Sequence, residues 1–260
     1  MNELVIREAQ RKPLRELALR AFESRMVEHL FGFSPQHCRG IGEAAVRDVV
    51  RRGIERAARY AFTQRGPVRF YLELMLLMGS GFDTDPQLPR AMAEILRSGG
   101  VADQLARADR LHGELQQHMR TVLGPDNCHA RAAIARLRTM SSAGLPLSDE
   151  RLEQDVLRVF EQVYPQRCAI TDPTALRTLV ASARRLATTA RLDVRRGTAL
   201  CSLLMFELGH ACFDDPLYPW LSRSLREPVG DDAIARTEHL ETKAMTYLAL
   251  IARRLERGSR

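Results

Sequence analysis

The sequence predicts an all-α protein that contains a tandem duplication of a roughly five-helix bundle. Apolar residues recur at helical spacing along most of the 260 residues, and no segment shows the period-two alternation of a β-strand. Two unusual strings also occur twice in the same order, about 130 positions apart. Repetition at a fixed spacing indicates two versions of one structural unit.

The repeated strings set the expected boundaries. Residues 34–38 read SPQHC and residues 164–168 read YPQRC, while GFDTDPQLP ends at residue 89 and CFDDPLYP at residue 219. The two halves are aligned with one insertion before the most apolar helix and one deletion inside the acid-rich string. In this alignment Phe82 corresponds to Phe213, and Asp85 corresponds to Asp215. We therefore expect a first helical repeat, a linker with a short helix and a second helical repeat, over residues 1–124, 125–145 and 146–260.

Within the first repeat, five segments have the pattern of helices. Apolar stripes at helical spacing, with arginine and glutamate on the opposite face, mark the first two and the last of them. The fourth ends at glycines, which favour helix termination. These segments are residues 13–31, 42–62, 65–79, 88–100 and 101–124.

The third segment is expected to be the central helix of its repeat. It is nearly all apolar, and Pro67 lies where proline is favoured, at the first positions of a helix. The corresponding segment of the second repeat covers residues 198–209. We expect these two helices to be the most buried.

The acid-rich strings are interpreted as turns between helices. Asp85 and Asp215 each precede a proline, which disfavours a helical conformation in the residue before it. An aspartate side chain can also accept hydrogen bonds from N–H groups of the next turn. Phe82 and Phe213 are expected to anchor these turns in the core.

A metal site at the turns is the competing interpretation. Asp83 and Asp214 could supply further carboxylates, or they could face solvent. Magnesium and calcium take six or more oxygen ligands, however, and the spacing of the aspartates differs between the two strings. We therefore predict no metal and no cofactor here.

A second possible metal motif is Glu207-Leu-Gly-His210. Its Glu-x-x-His spacing occurs in carboxylate-bridged metal bundles, which require a second such motif and two further glutamates. No second motif occurs in the sequence. A metal-dependent enzyme that uses Glu207, His210, Asp214 and Asp215 is kept as an alternative.

No residue is assigned a catalytic role. Cys38 and Cys168 occupy matching positions, but the neighbouring His37 is replaced by Arg167, so the base that a nucleophilic cysteine needs does not recur. They are interpreted as small buried residues. Trp220, which follows the second turn, is expected in the core or on a contact surface. Glycine-rich phosphate loops, nucleophile elbows and HExxH motifs do not occur.

Composition narrows the class of protein. The formal charge is +7, but the 39 lysine and arginine residues are interspersed with acids along the helices, which argues against nucleic acid as the partner. No apolar run approaches the roughly 20 residues of a membrane-spanning helix, and the first residues do not form a secretory signal. Five cysteines without a CxxC pair argue against a disulfide framework or a structural zinc site. A cytoplasmic protein is expected.

The first repeat resembles a family of small helical bacterial proteins that are encoded beside type VI secretion spike, PAAR and toxin genes. The match is good over about the first half of the chain, and weaker around Cys168 and from Phe213 to Trp220. The family pattern has a tryptophan where the first repeat of this chain has Arg90. The second repeat has the tryptophan at this position, as Trp220. The residues that carry the resemblance are Arg25–Met26, His29–Leu30, Cys38, Gly42–Glu43, Gly53–Ala57, Tyr60, Tyr71–Met78, Phe82–Pro86 and Leu88–Pro89.

The resemblance implies an accessory role in secretion or toxin handling and supplies no catalytic residue. A duplicated scaffold without a catalytic motif favours a non-enzymatic cytoplasmic binding protein. It would act as an adaptor, a chaperone or a neutralising, immunity-like partner of a secreted toxin or a type VI secretion component. The alternatives are the metal-dependent enzyme and a basic nucleic-acid-binding helical protein.

Overall fold

The computed structural model describes residues 8–100 and 103–257. Within these ranges it contains thirteen α-helices and no β-strand, which confirms the predicted all-α class. The helices up to the linker are α1 (Glu8–Phe33), α2 (Pro35–Ile41), α3 (Glu43–Arg59), α4 (Arg65–Met78), α5 (Arg90–Arg97), α6 (Gln104–Leu123) and α7 (Cys128–Thr139). The others are α8 (Leu152–Val163), α9 (Pro165–Cys168), α10 (Pro173–Thr189), α11 (Val194–Leu208), α12 (Pro219–Arg226) and α13 (Ala233–Arg257).

The first half of the molecule, α1 to α6, and the second half, α8 to α13, show the same order of elements. A short 3₁₀ turn lies between the fourth and fifth helix of each half, at Phe82–Thr84 and at Cys212–Asp214. The helix α7 lies in the segment that the sequence predicts to be the linker. Common descent by duplication stays a prediction.

Each half has six helices, one more than the sequence predicts. The additional helices are α2 and α9, which are only seven and four residues long. Both begin at a proline, Pro35 or Pro165, whose fixed φ suits the first position of a helix. Such short helices do not complete enough turns to show an apolar period in the sequence.

The core is centred on the two most apolar helices. In α11 every residue from Gly197 to Phe206 is buried, and α4 buries Tyr71, Leu72, Leu74 and Met75. Each of these helices buries a larger share of its residues than the other described helices of its half. The predominantly apolar composition of these two helices therefore does lead to the central position.

The helix α1 extends beyond its counterpart. When the two halves are aligned with an offset of about 130 residues, Leu152 corresponds to Phe22. Leu152 is the first residue of α8, whereas Phe22 lies in the middle of α1. The preceding part of α1 is exposed at every position from 16 to 21, whereas Met26, Val27 and Leu30 are buried. We call residues 8–21 the helical extension.

No helix in the described ranges has both the length and the apolar character that crossing a membrane would require.

Candidate functional site

The two acid-rich turns follow helices that end at closely opposed glycines. Gly79 and Gly209 have positive φ values of 92° and 96°, a conformation that residues with a side chain rarely adopt. A Cβ atom on Gly79 would lie 2.9 Å from the carbonyl oxygen of Leu208, and one on Gly209 would lie 3.1 Å from that of Met78. The ends of α4 and α11 therefore meet at a point where only glycine fits.

These glycines also correct the expected pairing of the turns. The N–H of Phe82 donates to the carbonyl of Gly79, and the N–H of Cys212 donates to the carbonyl of Gly209, both at 3.1 Å. Phe82 therefore corresponds to Cys212, and Phe213 corresponds to Asp83. The predicted pairing of Phe82 with Phe213 is wrong because the helices end at equivalent glycines, so that the insertion and deletion are not needed. Phe82 and Phe213 are nevertheless both buried.

Asp85 and Asp215 occupy equivalent places and stabilise their own turns. The Oδ1 atom of Asp85 accepts a hydrogen bond from the N–H of Gln87 at 2.8 Å. The Oδ1 atom of Asp215 accepts one from the N–H of Leu217 at 2.9 Å. These are bonds from the side chain to the backbone two residues on, as in an Asx turn.

The same two aspartates bind the opposite half of the molecule, a role that no spacing in the sequence indicates. The Oδ2 atom of Asp85 accepts from the N–H of His210 at 2.7 Å, and the Oδ2 atom of Asp215 accepts from the N–H of Ser80 at 2.7 Å. Each N–H group follows the glycine at the end of the other half's central helix. The turns are therefore reciprocal clamps between the halves as well as connections between helices.

The two clamps differ in their electrostatics. Burial disfavours the charged form of both carboxylates. In Asp85 the hydrogen bonds from His210 and Gln87 outweigh burial, so its pKa is lowered. In Asp215 burial outweighs the bonds from Ser80 and Leu217, so its pKa is raised.

The remaining aspartates of the turns lie in different surroundings. Asp83 is buried and forms an ion pair with Arg56 of α3, whereas Asp214 is exposed. Tyr60 also donates its hydroxyl to the backbone carbonyl of Asp83 at 3.4 Å. At the position that corresponds to Asp83, the second half has Phe213, so this ion pair belongs to the first half alone.

The matched cysteines lie in surroundings that keep them protonated. Cys38 is buried, and its thiol donates to the carbonyl of Leu30 at 3.2 Å. Cys168, which the sequence analysis interprets as buried, is only half-buried. Burial raises the pKa of Cys38, and burial together with the nearby Glu161 raises that of Cys168 to about 11. A thiol with a raised pKa is a poor nucleophile at neutral pH.

Trp220 is half-buried and packs against the last helix. Its ring lies over Tyr247 of α13, with the ring centroids 5.1 Å apart. The indole N–H is inaccessible to solvent and has no hydrogen-bond acceptor among the residues that the structure describes. This aromatic contact joins the second turn to α13.

The four residues of the alternative metal site have different neighbours. His210 is placed against Asp85, with Nδ1 3.4 Å from Oδ2, while Asp215 binds Ser80 and Asp214 is exposed. Glu207 lies one turn before His210, and its Oε1 atom has no hydrogen-bond partner within the described part of the chain. Among residues 8–100 and 103–257, no three histidine, cysteine or acidic side chains come together as metal ligands.

Glu207 instead lines a polar cavity that no pattern in the sequence reveals. The cavity has a volume of about 180 Å³ and lies where the first turn, α6, α9 and α11 meet. Its polar lining includes Gln87, His118, Tyr164, Arg167 and Glu207. These residues come from four separate parts of the chain, so no spacing in the sequence connects them.

Besides His118, the lining of this cavity includes the acidic and basic side chains of Asp85, Arg167 and Glu207. The guanidinium of Arg167 stacks on the ring of Phe206, 4.9 Å from its centroid. Burial raises the pKa of Glu207, against the opposing influence of Arg167. Burial, followed by the charge of Arg167, lowers the pKa of His118 to about 4, so this imidazole is neutral at pH 7.

The molecule thus offers two features with functional potential, the helical extension on its surface and the polar cavity between its halves. Comparison with known proteins does not assign either of them, since no family model, curated protein or solved structure matches the chain.

Proposed function

We propose that this chain is a non-enzymatic cytoplasmic binding protein that holds a protein partner through its helical extension. The role would be that of an adaptor, chaperone or neutralising partner of a secreted toxin or a type VI secretion component. The observation that carries the proposal is the exposed apolar face of the extension. The resemblance of the first half to proteins encoded beside secretion and toxin genes supports the class of partner.

The exposed face has the spacing of a helix that docks into a groove. Leu14, Leu17, Ala18 and Ala21 follow the i, i+3, i+4, i+7 pattern. Leu14 is 52% exposed and Leu17 is 65% exposed. Further along the same helix Leu30 is fully buried, so α1 changes from a surface helix to a core helix within about four turns.

The charge of this segment indicates what the partner should present. Residues 11–20 contain four basic residues and one acidic residue, and the whole chain has a formal charge of +7. An apolar groove with an acidic rim would complement both the leucines and the arginines. The metal-dependent enzyme has no comparable support, because its four side chains have different neighbours.

The test uses the proteins encoded next to this gene. Each is co-expressed with the wild-type chain, and complex formation is measured by size-exclusion chromatography with light scattering. A stable complex is expected with one toxin or secretion protein. Leu14→Asp/Leu17→Asp should weaken it at least ten-fold, whereas Leu105→Asp, at a 58% exposed leucine of α6, should not.

Three outcomes contradict the proposal. The wild-type chain binds none of the neighbouring gene products, or it binds one equally well with both leucines replaced. In the third, the isolated chain is a dimer that Leu14→Asp/Leu17→Asp converts to a monomer. The extension would then be covered by a second copy of this chain.

A further inference from the structure

The polar cavity contains groups whose hydrogen-bonding capacity is not used within the described residues. Gln87 is held in place by its Nε2 group, which donates to Oδ1 of Asp85 and to the carbonyl of Met205, both at 3.2 Å. Its Oε1 atom is inaccessible to solvent and has no donor. Oε1 of Glu207, two residues after Met205, is likewise inaccessible to solvent and has no donor among the described residues.

Arg167 provides the opposite chemistry in the same cavity. Its side chain packs on Phe206, but no described carboxylate or carbonyl accepts a hydrogen bond from its guanidinium. A guanidinium has five N–H donors in a planar fork that matches a carboxylate. Two acceptor oxygens without donors and one donor fork without an acceptor therefore line a single cavity.

We propose that this cavity binds a small zwitterion of the α-amino acid class, with its carboxylate on Arg167 and its ammonium group on Glu207 and Gln87. Such a ligand satisfies the three unused groups at once and adds no net charge to the interior. A buried charge is tolerated only when it is paired and hydrogen-bonded, and here each charge of the ligand meets an opposite charge or an acceptor. The site is independent of the helical extension.

The volume limits the size of the ligand. An apolar cavity of about 150 Å³ accepts benzene, which has six non-hydrogen atoms. The cavity here is slightly larger, at about 180 Å³. Amino acids of about six to eight non-hydrogen atoms, such as alanine, serine and threonine, are therefore of suitable size.

The ionisable groups of the lining bear on the charge of the ligand. Burial raises the pKa of Glu207 and favours its neutral form, and an ammonium group beside it would counteract this by stabilising the ionised carboxylate. His118 stays neutral because its pKa is lowered to about 4, so Arg167 is the cation of the cavity. A ligand with a second negative charge would lack a partner there.

Isothermal titration of the full-length wild-type protein tests the ligand class. The probes are L-alanine, L-serine and L-threonine, with propionate and ethylamine as analogues that each carry only one of the two charges. At least one amino acid should bind with a micromolar to millimolar Kd, and both analogues should bind at least ten-fold more weakly. Failure of all three amino acids to bind below about 10 mM would overturn the proposal, as would propionate that binds as tightly as alanine.

Variants test the placement of the ligand. Arg167→Gln and Glu207→Gln should each weaken amino-acid binding at least ten-fold, while Arg184→Gln and Glu150→Gln, at exposed positions, should leave the Kd unchanged. Arg167→Lys keeps the charge and should retain more affinity than Arg167→Gln. Folding of each variant is checked by circular dichroism. Unchanged binding in both cavity variants would show that the ligand occupies another site.

Discussion

Ser80 and Asp215, 135 residues apart in the chain, are joined by two buried hydrogen bonds. The N–H of Ser80 donates to Oδ2 of Asp215 at 2.7 Å, and its hydroxyl donates to Oδ1 at 2.5 Å. The reciprocal bond runs from the N–H of His210 to Oδ2 of Asp85 at 2.7 Å. These bonds hold the two halves together at the ends of their central helices, so the turns should matter to stability more than surface loops do.

Asp215→Ala should destabilise the protein by about 3 kcal/mol or more. The substitution removes an acceptor of three hydrogen bonds and leaves the N–H groups of Ser80 and Leu217 without a partner in the interior. Asp214→Ala, at the exposed neighbouring position, should change stability by no more than about 0.5 kcal/mol. Urea denaturation of the three proteins measures this, and equal losses in the two variants would contradict a clamp at Asp215.

The two clamp aspartates should affect the pH dependence of stability in opposite directions. The pKa of Asp85 is below its ordinary value of 3.8, so its contribution is fully present above the unfolded pKa and is lost as the pH falls through the folded pKa. The pKa of Asp215 is above 3.8, so the folded protein binds its proton more tightly, and stability decreases as the pH rises from the unfolded towards the folded pKa.

Unfolding of Asp85→Asn and Asp215→Asn between about pH 3 and pH 7 measures these contributions. The stability advantage of the wild type over Asp85→Asn should shrink below about pH 5. The stability of the wild type relative to Asp215→Asn should instead increase as the pH falls. Parallel curves for the two variants would show that the two carboxylates have similar environments.

The ion pair of Asp83 and Arg56 should be costly to break but replaceable. Asp83→Ala leaves the charge of Arg56, which is 24% exposed, without its buried partner, and should cost about 3–5 kcal/mol. Arg56→Met/Asp83→Leu should recover most of this loss, because apolar residues of similar volume often replace a buried pair without penalty. The corresponding positions of the second half, Leu186 and Phe213, are already apolar. A double variant less stable than Asp83→Ala would contradict this.

Gly79 is expected to be intolerant of any side chain. Gly79→Ala combines an unfavourable positive φ, which costs about 1–2 kcal/mol, with a contact to Leu208 that adds about 1–3 kcal/mol of overpacking. Gly42 is a matched control, because its φ is 86° but a Cβ atom there would meet nothing within 4 Å. Thermal unfolding should therefore show a clearly larger loss for Gly79→Ala than for Gly42→Ala. Similar losses would show that the helix ends can separate.

Much of the fold was predictable because helices depend on local interactions. Hydrogen bonds in a helix join residues four apart, and its buried face recurs with the same short period, so both are visible in a window of the sequence. The central positions of α4 and α11 and the turns at Asp85 and Asp215 follow from such local patterns. The additional helices α2 and α9 are too short to produce one.

Tertiary structure decided the register of the turns and the partners of their side chains. The sequence alone allows Phe82 to be aligned with Phe213, if gaps are introduced, or with Cys212, if they are not. The equivalent glycines at the ends of α4 and α11 show that Cys212 is the counterpart. Likewise, the apolar period of α1 continues through Leu14 and Leu17, yet these residues are exposed. Whether an apolar stripe is covered depends on the neighbouring elements and not on the stripe itself.

By itself, the sequence determined the all-α class, the order of the principal helices and the places where they turn. It did not determine the polar cavity, because each of Gln87, His118, Arg167 and Glu207 lies about 30 to 50 residues from the next one along the chain. Single glutamines, histidines and arginines are common on helix surfaces and have no diagnostic spacing. They became neighbours only when α6, α9 and α11 packed around the first turn, since burial and the loss of water, which give these groups their chemistry, are properties of the folded molecule.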